Sequence, residues 1–115
     1  MRRLAIIFSS SGSPPTYALS RSALTNALRV VGKDLANIRI ALAGAGAAGT
    51  AIVTLLLAAG VTDVVVWDRE GTLSADDENL TGAKKQLAEV TNPRRVRGDL
   101  RAALAGADVF IGVSG

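Results

Sequence analysis

Residues 38–68 read IRIALAGAGAAGTAIVTLLLAAGVTDVVVWD, and three hydrophobic textures follow one another within them. Ile38–Ala43 is a short apolar run, the length of a buried strand, with Arg39 near its entrance. Gly44–Gly49 places three glycines in six residues and reads as a turn. From Ala47 to Ala59 nearly every position is apolar, Thr50 and Thr54 excepted, which is the pattern of a helix buried on most sides. Gly60 supplies the left-handed residue that commonly ends such a helix. Asp63–Trp67 (DVVVW) is a continuous β-branched run, as expected of a parallel strand covered on both faces. Strand, glycine turn, buried helix, strand is the reading that decides the fold.

Outward from this unit the same alternation continues. On the amino-terminal side, Ser20–Val31 carries Leu24, Ala27, Leu28 and Val31 at the i, i+3, i+4, i+7 spacing of an amphipathic helix, with Gly32 at its stop. On the carboxy-terminal side, Asp68–Asn79 is polar and loop-like, and Gly82–Val90 forms a helix that Pro93 cannot continue. Asp99 is an N-cap for a short helix to Leu104, and Asp108–Val113 is a further apolar strand. Strands alternating with helices indicate a parallel sheet. The expected fold is a truncated Rossmann-like α/β unit of about three parallel strands, with flanking helices and one preceding helix. The expected organisation is a poorly ordered tail over residues 1–19 and a partial Rossmann-like domain over 20–115.

Two readings of the apolar segments are set aside. Met1–Phe8 (MRRLAIIF) has the charge of an export signal, but its apolar stretch is five residues, short of the roughly 7–15 that such a signal needs. Ile40–Thr62 carries no charge and is long enough on paper to cross a bilayer. Yet Gly44, Gly46 and Gly49 crowd its first half, at about 1 kcal/mol of helix stability each. A cytoplasmic location without membrane contact is expected.

Composition removes several function classes. The 115 residues include neither Cys nor His, which excludes thiolate metal sites and Ser-His-Asp or Cys-His hydrolases. Aromatic residues make up 3% and the net charge is +3, a poor basis for nucleic-acid recognition by stacking or charge. With 49% apolar residues the chain has enough material for a core.

The turn GAGAAG fits G-x-G-x-x-G. A match alone is weak in a chain with 12 glycines; the strand before it and the helix after it give it weight. In this motif the first glycine (Gly44) makes the tight turn, the second (Gly46) leaves room for a pyrophosphate, and the third (Gly49) lets helix and strand pack closely. The phosphates would lie on amides at the head of the helix, where its dipole favours negative charge. Asp68 ends the next strand 19 residues after Gly49, near the spacing at which a carboxylate receives the adenosine ribose hydroxyls. Asp68 favours NAD, since a 2′-phosphate would meet its charge. Arg69 beside it offers a guanidinium to that phosphate, so NADP stays possible.

Other charged residues read as structural. Arg94, Arg95, Arg97 and Arg101 are expected on a solvated surface, and Asp76, Asp77 and Glu78 in a solvated turn. Lys33 and Tyr17 resemble a Lys/Tyr proton-transfer pair, but nothing in the sequence brings them together, and they read as structural.

The words ALTNALRVVGKDLANIRIALAGAGAAGTAIVTLLLAAGVTDVVVWDREG and LAEVTNPRRVRGDLRAALAGADVFIGVSG, over Ala23–Gly115, closely resemble the cofactor domain of bacterial malic enzymes. The resemblance implies oxidation of L-malate with NAD(P), followed by decarboxylation to pyruvate with Mg²⁺ or Mn²⁺, in the intact family. It carries over Gly44, Ala45, Gly46, Ala47, Ala48 and Gly49 as pyrophosphate-binding and Asp68 as the ribose contact. Val113, Ser114 and Gly115 match the turn beside the cofactor. The family's catalytic Lys and Tyr and its acidic metal ligands precede the segment matching Ala23, where this chain has SSSGSPPTYALSRS; its substrate-holding asparagines follow the segment matching Gly115. No catalytic or metal-ligating residue is therefore assigned, and a malic-enzyme fragment inactive alone is expected. The alternatives are a standalone dinucleotide-binding module and the cofactor domain of another amino-acid-dehydrogenase-like oxidoreductase. A sheet ending at the last strand would leave an exposed edge, through which a homo-oligomer is expected.

Overall fold

The computed structural model describes residues 3–9 and 21–114. The central unit follows the hydrophobic pattern. Strand β2 (Arg39–Ala43) leads through the glycine turn into helix α2 (Ala47–Ala59), and β3 (Asp63–Asp68) lies parallel beside β2. Before them stands α1 (Arg21–Leu28), which tightens into a 3₁₀ turn over Arg29–Val31 and stops at Gly32 in the left-handed region. After them come a two-residue strand β4 (Gly71–Thr72), α3 (Gly82–Val90), α4 (Leu100–Leu104) and β5 (Val109–Ser114). As the sequence indicates, the Asp99 carboxylate caps α4 by accepting from the Ala102 amide at 3.0 Å.

The sheet has five strands, not about three, in the order β1-β5-β2-β3-β4. Both additions come from segments read as tail and loop. Leu4–Ser9 forms β1, parallel to β5 in the register Leu4↔Val109 to Ser9↔Ser114. Its alternate residues Leu4 and Ile6 pack against the main core, so burial and pairing order a run too short for local pattern to identify. The strand β4 folds back antiparallel on β3 through a turn at Arg69–Glu70. In consequence β5 is an interior strand between β1 and β2, and among the described residues β1 and β4 are the outer strands.

The two faces of the sheet differ. One carries the large cluster of Ile40, Leu42, Val64, Val66, Val109 and Ile111 with residues of α1, α2 and α3. The other holds a small cluster of Ala41, Val65 and Ala103, with Trp67, Val96 and Phe110 packed against it. No helix among the described residues is long and apolar enough to cross a membrane. The uncharged run Ile40–Thr62 is divided between a strand, a turn and a 13-residue helix.

This strand order fixes where a ligand can sit. Chain leaves β2 towards β3 on one side, while β5 flanks β2 on the other. The glycine turn at the carboxyl end of β2 therefore lies where the strand order reverses, the position at which open parallel sheets form their crevice.

Candidate functional site

Gly44 makes the turn. Its φ of +129° belongs to glycine, and a Cβ there would stand 3.0 Å from the Val113 carbonyl oxygen. Its amide donates to the Trp67 carbonyl at 2.9 Å, tying the exit of β2 to β3. At Gly49 a Cβ would collide with the carbonyl oxygen of Gly44, so the absence of a side chain is what lets α2 close onto the strand end. Gly46 differs from both. Its backbone is extended, φ −77°, and a Cβ would meet nothing within 4 Å. The space above Gly46 is open.

That space lies at the head of α2. No side chain caps the helix, and the Thr50 amide and hydroxyl both go to the Gly46 carbonyl, at 2.9 and 3.0 Å. The first amides of a helix have no intrahelical acceptor, so those of the opening turn are left to solvent or a ligand. Ala47 and Ala48 are small enough to leave them uncovered.

A cleft of about 330 Å³ runs from this turn to the end of β3, lined by Ala45, Gly46, Asp68, Arg69, Glu70 and Lys84. Asp68 is its main carboxylate, with its side chain 13% exposed. Its Oδ1 accepts from the Glu70 amide at 2.8 Å, which shapes the turn into β4. Its Oδ2 is buried and ion-paired with Lys84 Nζ at 2.5 Å. Contact at hydrogen-bond distance with Asp68, reinforced by charge attraction, raises the pKa of Lys84. Arg69 is exposed on the cleft rim.

Of the candidate residues, Ala45, Gly46, Asp68 and Arg69 line one cleft, while Gly44 and Gly49 shape the turn behind it and Val113 lies against Gly44. Ser114 ends β5 opposite Ser9, while Gly115 and Tyr17 lie outside the described residues. Lys84 escapes the sequence reading. It stands 16 positions beyond Asp68, and only the docking of α3 through Leu87 and Ala88 brings it back over β3. The amphipathic stripe of Gly82–Val90 was the available signal.

The remaining charges are more ordered than expected. Arg94 forks onto Asp63 with bonds of 2.7 and 3.2 Å, and Arg97 pairs with Asp76 at 2.9 Å. A hydrogen bond from Ser74 and the Arg97 guanidinium lower the pKa of Asp76. Lys33 is structural, bound to Asp108 at 3.1 Å. No group of three or more Asp or Glu able to hold a metal ion occurs among the described residues.

No protein-family model matches the chain. It is 44% identical over 99 residues to the NAD-dependent malic enzyme of Geobacillus stearothermophilus, which covers 86% of this chain and 21% of the relative. It is 37% identical over 103 residues to the NADP-dependent malic enzyme of Escherichia coli, covering 87% of this chain and 13% of that one. The crystal structure of the NAD-dependent malic enzyme of Thermotoga maritima superposes with a TM-score of 0.79 at 34% identity, over 96% of this chain and 36% of that one. The malic enzyme of Pyrococcus horikoshii gives 0.71 at 30% identity, over 96% of this chain and 33% of that one. The chain therefore spans a minor part, about a fifth, of the first of these curated relatives. In sequence and in fold, the chain is similar to a segment of malic enzymes.

Proposed function

We propose that this chain binds an NAD-type dinucleotide and is the cofactor-holding portion of a malic enzyme. One observation carries the reading: the space over Gly46 is open at the uncapped head of α2, in the same cleft as the Asp68 carboxylate that ends β3. The residues present fit the group. Amides of Ala47 and Ala48 would receive the pyrophosphate, with Gly44 and Gly49 holding the turn in shape. Asp68 would accept the adenosine ribose hydroxyls. Val113 borders the turn, and Ser114 and Gly115 extend that border by resemblance. NAD is the favoured ligand, with Arg69 and Lys84 leaving NADP admissible.

When bound, the dinucleotide supplies the hydride acceptor for malate oxidation; the chain's own residues bind and orient it. Within the family, malate and Mg²⁺ or Mn²⁺ belong to the whole enzyme, and this segment contributes neither catalytic nor metal-binding residues. Titration of the chain with NAD tests the reading, with Gly46→Val as control. Because nothing lies within 4 Å of that position, valine leaves the fold intact while filling the phosphate space. Saturable binding by the wild type and its loss in Gly46→Val are expected; equal curves would overturn the assignment. The same sample with malate, NAD and Mn²⁺ is expected to form no pyruvate, and pyruvate production would refute the division of roles.

A further inference from the structure

Asn92 is a polar side chain at 0% exposure, on left-handed backbone with φ +52°. Asparagine takes up that backbone more readily than most residues other than glycine. Both carboxamide donors are used: Nδ2 donates to the Leu73 carbonyl at 3.0 Å and to the Val96 carbonyl at 2.8 Å. Oδ1 accepts from the Val96 amide at 2.7 Å, and the Asn92 amide itself donates to the Val64 carbonyl at 2.7 Å. One residue therefore joins β3, the arm leaving β4 and the segment before α4.

That arm needs the support. The strand β4 has two residues, paired Trp67↔Thr72 and Asp68↔Gly71, and so short a hairpin does not hold its own shape in water. On its inner side the Leu73 amide donates to the Val66 carbonyl at 2.9 Å, and Asn92 continues that edge at Val64. On its outer side it meets the segment that Asn92 clamps. The Thr72 amide donates to the Gly98 carbonyl at 3.1 Å, and the Thr72 hydroxyl donates to the Val96 carbonyl at 2.8 Å. The turn that carries Asp68 is thus closed by an arm wedged between β3 and Val96–Gly98. The other support of Asp68 leads to the same place. Its ion-pair partner Lys84 stands on α3, which runs into Thr91 and Asn92, so the bond to Val64 also docks the end of that helix on the sheet edge.

We propose that Asn92 is a positioning residue for the adenosine half of the dinucleotide, setting Asp68 from two directions without touching the ligand. This rests on Asp68 as the ribose contact. The glycine turn is held instead by the Gly44–Trp67 hydrogen bond and the packing of Gly49, in which Asn92 has no part.

Titration of the full chain and of Asn92→Gly with NAD, adenosine monophosphate and inorganic pyrophosphate tests it. Glycine accepts the left-handed backbone and keeps the amide that bonds Val64, so only the carboxamide is lost. Affinity for NAD and for adenosine monophosphate is expected to fall about tenfold, the scale of one charge-assisted hydrogen bond. Pyrophosphate binding is expected to stay unchanged. Asp68→Ser should give the same selective loss, and the double variant no more than either alone, because one residue acts through the other. Thr72→Val removes a hydroxyl from the same clamp; it is expected to show the same pattern and replaces Asn92→Gly in every comparison should that variant fail to fold. No loss, an equal loss for pyrophosphate and the adenosine ligand, or losses that add to those of Asp68→Ser would each overturn the proposal alone. Unchanged adenosine monophosphate affinity in Asp68→Ser would overturn the ribose contact, and the proposal with it.

Discussion

A methyl group at Gly49 would strike the Gly44 carbonyl, whereas one at Gly46 meets nothing. Two glycines three residues apart thus serve different ends, one for folding and one for access. Asp68 is the next residue whose role is set by its surroundings. Its Oδ2 faces Lys84, with Arg69 on the cleft rim nearby. Asp68→Ser is expected to remove the repulsion a 2′-phosphate would meet and to release the Lys84 ammonium towards it. NADP affinity should rise relative to NAD by about 1–2 kcal/mol, the scale of one charge-assisted hydrogen bond. Parallel titrations with the two dinucleotides check this, and an unchanged ratio would mean that the carboxylate does not face the ribose. The glycines and Asp68 are legible in the sequence because backbone geometry and strand length fix them locally. Lys84 is not, since its place depends on the packing of a helix beyond two turns of chain.

Among the elements, α2 and β3 follow directly from hydrophobic texture, and β1 does not. A five-residue apolar run beside SSSGSPP has no local signature of a strand; its identity comes from β5, more than a hundred residues away. Asp108 shows how that pairing is anchored. Its carbonyl receives the Leu4 amide at 2.9 Å and its amide donates to Arg39 at 2.8 Å. Its carboxylate accepts from the Arg39 amide at 3.0 Å and from Lys33 at 3.1 Å. One residue therefore joins β1, β2, β5 and the segment after α1. Burial by itself pushes this carboxyl up, but the Arg39 amide and the Lys33 ammonium outweigh it, and the pKa falls below the usual 3.8. A folded-state pKa below the unfolded one contributes stability that is full above the unfolded value and disappears as pH falls through the folded value. Asp108→Asn is expected to cost about 1–3 kcal/mol at neutral pH, as a buried acceptor loses its charge. The deficit should shrink as denaturation is followed from pH 7 to below about pH 4. A deficit that stays constant over that range would show that the charge is not what matters.

At the scale of the whole molecule, folding and binding depend on the same packing. Leu56 is fully buried where α2 lies on the sheet, and α2 also presents the amides of the cleft. Leu56→Ala is expected to cost about 2–5 kcal/mol, a large part of the roughly 5–15 that holds a domain of this size together. A ligand that binds only the folded form returns stability by mass action, about 2.7 kcal/mol at a hundred times its dissociation constant. NAD at that excess is therefore expected to raise the melting temperature of Leu56→Ala by roughly 10 °C or more, at about 4–8 °C per kcal/mol for a small domain. The rise should come entirely through the glycine turn, so combining Leu56→Ala with Gly46→Val should abolish it while leaving the unliganded melting temperature unchanged. Thermal scans of the single and double variants, with and without NAD, make the comparison. If NAD stabilises both equally, it binds somewhere other than the head of α2. If it stabilises neither, the cleft does not hold a dinucleotide.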